Sequence, residues 1–273
     1  MNHINKYFWK IVISIVLASI LIATKANATA VRILQANLFS WSTMDKNKNP
    51  PPIVRMTSYI NEQNFDFIAT QENDYLLTDR LYKLDQKYKI AGTREDASIF
   101  YDSTRWAIVE NSQKMIPMTS DGGGRRVAVF SQFKNLKSGE IVALGTTHLC
   151  VAWGGHADCI GGQVTAHNND ARAISEFIEE YSARLKIPTF VTGDFNNLQD
   201  NLNQAQIMES TFVNYGLVAV KSNGTYIGPT FGNAVIDFVY FCEATLKNAS
   251  LYKQTQGNPS DHSAIDVTFQ IGL

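Results

Sequence analysis

Apolar and polar positions alternate along many short stretches of this chain, and most of these stretches end on a polar residue. Val31-Arg-Ile-Leu-Gln-Ala-Asn-Leu38 alternates enough to be a strand, with Asn37 where the chain turns polar. After the break at Pro50-Pro51-Pro52, residues Ile53, Val54, Met56 and Ile60 follow a helical spacing, and Phe65 to Gln71 reads as a second strand that delivers Glu72 at its end. This is a βαβ-like unit. Leu76 to Leu84 is expected as a short helix. Tyr88 to Ala91, Ser98 to Tyr101, Trp106 to Glu110 and Arg126 to Phe133 read as successive strands, antiparallel because no helices lie between them. Ile141 to Thr147 is a further apolar strand, with His148 just past its end.

From Asp170 to Leu185, residues Ala173, Ile174, Phe177, Ile178 and Tyr181 fall on one face of a helix. That helix leads into Ile187-Pro-Thr-Phe-Val-Thr-Gly-Asp-Phe-Asn-Asn197, around which the chain is organised. Phe190, Val191 and Thr192 form a strand that stops at Gly193, and Asp194 and Asn196, two apart on extended backbone, share one face. Leu202 to Tyr215 is expected as a helix. Ile236 to Phe241 is a strand carrying Asp237, Leu246 to Tyr252 is another, and Ala264 to Gln270, preceded by Ser260-Asp261-His262, closes the pattern.

The first residues change the count. Lys6 and Lys10 precede the apolar run Ile11 to Ala23, and Ala26-Asn27-Ala28 has the small-x-small form read by signal peptidase. The run is shorter than the ~20 residues that span a bilayer, so residues 1 to 28 are expected to be removed as an export leader, with a retained membrane anchor as the alternative. Without Lys6, Lys10 and Lys25 the 24 basic and 25 acidic residues become 21 and 25, a mildly acidic chain that excludes wholesale electrostatic capture of nucleic acid. No repeat, low-complexity tract or charge block divides residues 29 to 273, and a single α/β domain is the simplest account.

In an exported chain, Cys150 and Cys159 around a Gly-rich loop are expected to join as a disulfide. The competing reading is a zinc site of His148, Cys150, His156 and Cys159, whose spacing matches no standard finger. Cys242, in an apolar run, is expected as a buried free thiol.

Strand ends thus present Asn37, Glu72, His148, Asp194 with Asn196, Asp237, and Asp261 with His262. In a layered α/β fold such ends converge on one rim. Glu72 and Asp261 offer oxygen ligands of the kind a hard cation such as Mg²⁺ takes, and a histidine with a carboxylate behind it can cycle near neutral pH. The alternative for each residue alone is structural: Asx turns, strand terminators and caps. His156 and His167 read as loop or capping histidines.

Gln71-Glu72, Thr147-His148, Gly193-Asp-Phe-Asn196, Ile236-Asp237 and Ser260-Asp-His262, in this order across nearly the whole mature chain, resemble the endonuclease/exonuclease/phosphatase superfamily with its deoxyribonuclease I-like fold. The resemblance implies a four-layer α/β/β/α sandwich, two packed mixed β-sheets with outer helices. It implies Glu72 as principal metal ligand, with Asn37 and Asp261 touching the metal or its waters. Asp194 and Asn196 would orient water and hold the scissile phosphate. His262, oriented by Asp237, would work with His148 in proton transfer. It further points to Glu95 as a carboxylate behind the first histidine and to Arg125 or Arg126 on phosphate. Adjacent strand residues face opposite ways, so one of the two arginines should reach the site, and Arg125 is favoured.

The implied cofactor is Mg²⁺, with Mn²⁺ or Ca²⁺ as substitutes, and the implied substrate is a phosphodiester, first of all in DNA or RNA, acted on by a monomer. A lipid or inositol phosphate is the alternative substrate, and a catalytically silent binding relative is the alternative class. The loop Leu149 to His167, with Trp153, is expected to carry specificity.

Overall fold

The computed structural model describes residues 28–38, 52–73, 84–91, 96–120, 126–151, 159–181, 185–196, 209–222, 225–253, 256, 258 and 260–272. The leader up to residue 27, the expected short helix over 76–83, the first part of the helix expected from Leu202, and Glu95, Arg125, Trp153 and His156 lie outside them. In chain order the elements are β1 (Thr29–Asn37), α1 (Pro52–Gln63), β2 (Phe67–Gln71), β3 (Tyr88–Ala91), β4 (Ser98–Asp102), β5 (Trp106–Ile108), β6 (Lys114–Pro117), β7 (Val127–Asn135), β8 (Ile141–His148), α2 (Gln163–Tyr181), β9 (Thr189–Asp194), β10 (Val218–Ala219), β11 (Asp237–Cys242), β12 (Thr245–Tyr252) and β13 (Ala264–Ile271). They form one sheet of order β12-β13-β1-β2-β4-β3 and another of order β10-β11-β9-β8-β7-β5, with β6 also on β7.

The period of two on each strand builds the layers. Val31 and Ile33 of β1 join Phe67, Leu144, Phe190 and Val239 in the core between the sheets. Leu34 and Ala36, on the other face of β1, pack with Met56 and Ile60 of α1. Ala128, Phe130 and Val191 do the same on the second sheet, against Ala171, Ile174 and Ile178 of α2. Each sheet is therefore apolar on both faces, and the order helix, sheet, sheet, helix is the sandwich the sequence implied. Fully burying a side chain such as Phe67 or Phe190 contributes about 1.5–3 kcal/mol.

Both sheets are mixed. The pairs β1–β2 and β8–β9 are parallel, and their registers end with Asn37 opposite Gln71 and His148 opposite Asp194. The antiparallel pair β9–β11 sets Asp194 opposite Asp237. Parallel pairing brings the strand ends to one rim. Close approach of β8 and β9 needs Gly193, because a Cβ there would sit 2.3 Å from the Thr147 carbonyl oxygen.

Three details depart from the sequence pattern. Helix α2 begins at Gln163, a full two turns before Asp170. Its early residues His167, Asn168 and Asn169 are weak helix formers, so propensity hid the start. Short strands β6 and β10 lie where no alternation marked them. Cys242 is the free cysteine expected, but it is half-buried at the end of β11. Among the described residues no helix is long and apolar enough to cross a membrane.

Candidate active site

The space between the sheets changes character toward the rim. On β1 the inward side chains run Val31, Ile33, Gln35, Asn37, and on β9 they run Phe190, Thr192, Asp194. Polar groups buried here must pair across the sheets. Gln71 Nε2 donates to Thr146 Oγ1 at 2.8 Å, and Gln35 Nε2 donates to Asp237 Oδ1 at 2.8 Å. Asn37 Nδ2 donates to Asp194 Oδ2 at 2.9 Å and to Glu72 Oε1 at 3.1 Å.

Asp194 Oδ2 is the hub. His148 Nε2 lies 3.7 Å from it and His262 Nε2 lies 3.8 Å from it. The backbone N–H of Asn196 donates to Asp194 Oδ1 at 2.9 Å. Asn196 and Glu72 both sit at left-handed φ, 47° and 50°, the strained backbone that recurs at functional sites. Asn196 Nδ2 donates to the Leu149 carbonyl at 2.9 Å, which ties the turn after β9 to the end of β8.

Each histidine has a carboxylate behind it. His262 Nδ1 is 2.8 Å from Asp237 Oδ2, and Asp237 is in turn held by Gln35 and by its own backbone N–H on Thr230 Oγ1 at 3.1 Å. Burial opposes a charge on His262, but the Asp237 carboxylate outweighs it and raises the imidazole to about 10. The Asp237 carboxyl is pushed up, by burial first and with the Asp194 charge adding, against the pull of His262. Ser260 Oγ donates to the Asn37 carbonyl at 2.7 Å and accepts from the His262 N–H at 3.1 Å, which anchors the last histidine to the end of β1.

His148 Nδ1 is 2.6 Å from Asp96 Oδ2, and Arg126 Nη1 lies 2.6 Å from that same Nδ1 and 3.0 Å from Asp96 Oδ2. A guanidinium only donates. A neutral His148 therefore accepts from Arg126 at Nδ1 and keeps its proton on Nε2, whereas a charged His148 donates from Nδ1 to Asp96. His148 is raised despite burial, chiefly by Asp96. Burial opposes the Asp96 charge, but His148 and Arg126 overcome it and bring the carboxyl down to about 2.

The structure thus gathers Asn37, Glu72, His148, Asp194, Asn196, Asp237, Asp261 and His262 at one rim. Two further residues join them. The carboxylate behind His148 is Asp96, next to the expected Glu95, and the arginine at the site is Arg126 where Arg125 was favoured. Glu95 and Arg125 themselves lie outside the described residues. Arg126 immediately precedes β7 and is one of the two arginines that the one-face argument offered. Sequence reading missed Gln35 and Thr230 and gave no role to Ser260, although it stood in the motif with His262; these three hold the others. Gln35 was discoverable, since it is two before Asn37 on one strand face.

The donor set fits a hard divalent cation. Asp261 Oδ1 is buried with no hydrogen-bond partner among the described residues, 4.0 Å from His262 Nε2. Burial pushes the Glu72 and Asp261 carboxyls up, with the Asp194 charge adding, and a cation would offset that crowding. Ligand-type atoms of Asp194, Asp237 and His262 also lie within 4.8 Å of one another. Asp237, however, has one oxygen on Gln35 and the other on His262, so the carboxylates with capacity are Glu72, Asp194 and Asp261. A concavity of ≈ 640 Å³ between α1 and β12, lined by Arg55, Tyr59 and Tyr252 among others, carries none of these groups.

A two-sheet sandwich with carboxylates and backed imidazoles at its strand ends is the arrangement of a phosphoester hydrolase. The chain belongs to the endonuclease/exonuclease/phosphatase family, whose profile matches residues 36–262. A family member of known structure from Bacteroides thetaiotaomicron is 18% identical, with a TM-score of 0.70 over 90% of this chain and 100% of that one. The mannosyl-6-phosphatase Bt3783 of Bacteroides thetaiotaomicron is 17% identical, with a TM-score of 0.66 over 88% of this chain and 99% of that one. D. rerio TDP2, complexed with a single strand DNA product, is 16% identical, with a TM-score of 0.63 over 88% of this chain and 99% of that one. At these identities the likeness is one of fold. A search of curated proteins found no significant match.

Proposed function

We propose that this protein is an exported, divalent-metal-dependent phosphodiesterase whose first substrate is DNA or RNA. The observation that carries the reading is the pair of imidazoles, His148 and His262, each backed by a carboxylate and both within 3.8 Å of the same Asp194 oxygen. Hydrolysis of a diester needs a base for the attacking water and a donor for the leaving oxygen. Asp194, held by Asn37 and the Asn196 N–H, accepts the proton of the attacking water. His262, kept protonated by Asp237, donates to the leaving oxygen or to the phosphate. His148 and Arg126 add positive charge for the non-bridging oxygens. Glu72, Asp261 and Asn37 would hold Mg²⁺, or Mn²⁺ or Ca²⁺, which supplies Lewis-acid charge at the phosphate.

Preference for nucleic acid rests on two supports. Phe231 packs on the His262 ring at 4.9 Å and is half-buried, so it offers an aromatic face beside the proton donor on which a base can stack. A relative of the same fold is complexed with single strand DNA product. Export rests on the leader pattern of residues 1 to 28, and β1 starts at Thr29, so cleavage after Ala28 would leave the sheet whole.

The test is incubation of the mature chain with supercoiled plasmid DNA, and separately with RNA, sphingomyelin, phosphoinositides and a sugar 6-phosphate, each with Mg²⁺ and with chelator. Chelator-sensitive nicking is expected. Lipid or sugar phosphate turnover without nicking would move the substrate to those classes, and inertness toward every phosphoester would leave a binding protein.

A further inference from the structure

Cys150, just past the end of β8, is joined by a disulfide to Cys159, which stands shortly before α2, with Cα atoms 5.6 Å apart. A third residue belongs to this cluster. His167, on α2, places a ring nitrogen within 4.8 Å of both sulfurs, and all three residues are at most 2% exposed. His167 Nε2 donates to the Cys150 carbonyl oxygen at 2.8 Å, which fixes the tautomer whose Nδ1 carries a lone pair. That Nδ1 is buried and has no hydrogen-bond partner among the described residues. Burial also lowers the His167 pKa, against its bond to the Cys150 carbonyl and the Asp194 charge, which favours the neutral ring. A disulfide among apolar neighbours such as Ala166 gains nothing from an unpaired imidazole nitrogen. Two thiolates do, because sulfur and neutral imidazole together select zinc-class metals.

We propose that Cys150, Cys159 and His167 form a soft-metal site, fitted to Zn²⁺, which the disulfide keeps closed and reduction opens. An external dithiol supplies the electrons by thiol–disulfide exchange. The S–S bond breaks, two electrons and two protons pass to the Cys150 and Cys159 sulfurs, and the dithiol leaves as its own disulfide. Zn²⁺ then displaces the two thiol protons into water and binds both thiolates, with the His167 lone pair as third ligand and a water molecule as fourth. Tetrahedral bonds of about 2.3 Å set the sulfurs ~3.8 Å apart. Side-chain rotation provides that separation at the present backbone spacing. One cross-link replaces another, so the segment that follows His148 stays tied to α2 in oxidising and reducing surroundings alike.

The test uses the mature chain, reduced anaerobically with a dithiol, freed of it, and titrated with Co²⁺ as the spectroscopic probe. One equivalent per chain is expected to give thiolate-to-cobalt charge-transfer absorption that Zn²⁺ abolishes. The oxidised protein gives none, since the carboxylate rim offers only oxygen and imidazole ligands. Cys159→Ser removes the band, His167→Gln weakens cobalt binding at least ~10-fold, and Cys242→Ser keeps both band and affinity. A reduced wild-type chain without the band would overturn the proposal. So would unchanged affinity in His167→Gln, loss of the band in Cys242→Ser, or one cobalt shared by two chains.

Discussion

His148 and His262 approach the same oxygen of Asp194 at nearly the same distance, 3.7 and 3.8 Å, yet their supports differ. Among the described residues His262 Nδ1 has one partner, Asp237, a carboxylate whose side chain is 0% exposed and whose other oxygen is fixed by Gln35. His148 rests on Asp96, whose side chain is 26% exposed, and shares Nδ1 with Arg126. One partner with no competitor holds a proton firmly, which suits a donor. An anionic and a cationic partner at the same nitrogen make protonation a contest, which suits a group that changes state during turnover. The same residue pair, carboxylate and imidazole, is thus given two characters by burial and by one guanidinium.

Several changes would break or sharpen that contrast. The largest effect is expected from His262→Ala or Asp194→Ala, each lowering phosphodiester turnover at least ~100-fold while circular dichroism stays native. Unchanged turnover in either variant would remove that residue from the mechanism. Asp237→Asn should cost on the order of 10- to 100-fold, the range typical when the carboxylate behind a functional imidazole is lost. In an NMR titration of this variant with chelator present, His262 should fall from about 10 toward 6.5.

Smaller effects are expected at the other pair, and they carry opposite signs. Asp96→Asn should lower the His148 titration midpoint and Arg126→Gln should raise it, because the first removes an anion and the second a cation. A shift in the same direction for both would end the competition argument.

Stability should also respond at both ends of the pH scale in chelator-treated protein. Asp96 is depressed to about 2 from 3.8, so its contribution is present above 3.8 and disappears as pH falls through 2. His262 is raised to about 10 from 6.5, so its contribution is present below 6.5 and disappears as pH climbs through 10. Urea midpoints of Asp96→Asn should therefore lose the acid limb and keep the alkaline one. A variant that loses both limbs together would show that the pairs are not independent.

Much of the scaffold was legible because strands in a two-sheet sandwich obey local rules. Alternation marked β1, β2, β8, β9, β11 and β13, and the polar residues that end them marked the rim. The helical face Ala173, Ile174, Phe177, Ile178 and Tyr181 marked α2, though Gly161-Gly162 and a run of poor helix formers concealed its first turns. Strand β10 was not legible, since two residues show no period.

The candidate site divides along the same line. Asp194 with its Gly193 turn, His148 and His262 were marked by local pattern, because each stands where an apolar run stops or is about to start. Asp96 was not, and Arg126 was marked only as one of two candidates. Their importance comes from the point at which residues 22 and 52 positions away in sequence meet, and neighbouring Glu95 and Arg125 carry the same charges.

Residue order alone determined which side chains would stand at strand ends, since period-two geometry is a property of the chain itself. Only the packed sandwich decided which end faced which: parallel registers set Asn37 beside Gln71 and His148 beside Asp194, and closure of the sheets brought Gln35 to Asp237. Proton affinity followed from that closure, because burial and neighbouring charge exist only after distant segments meet.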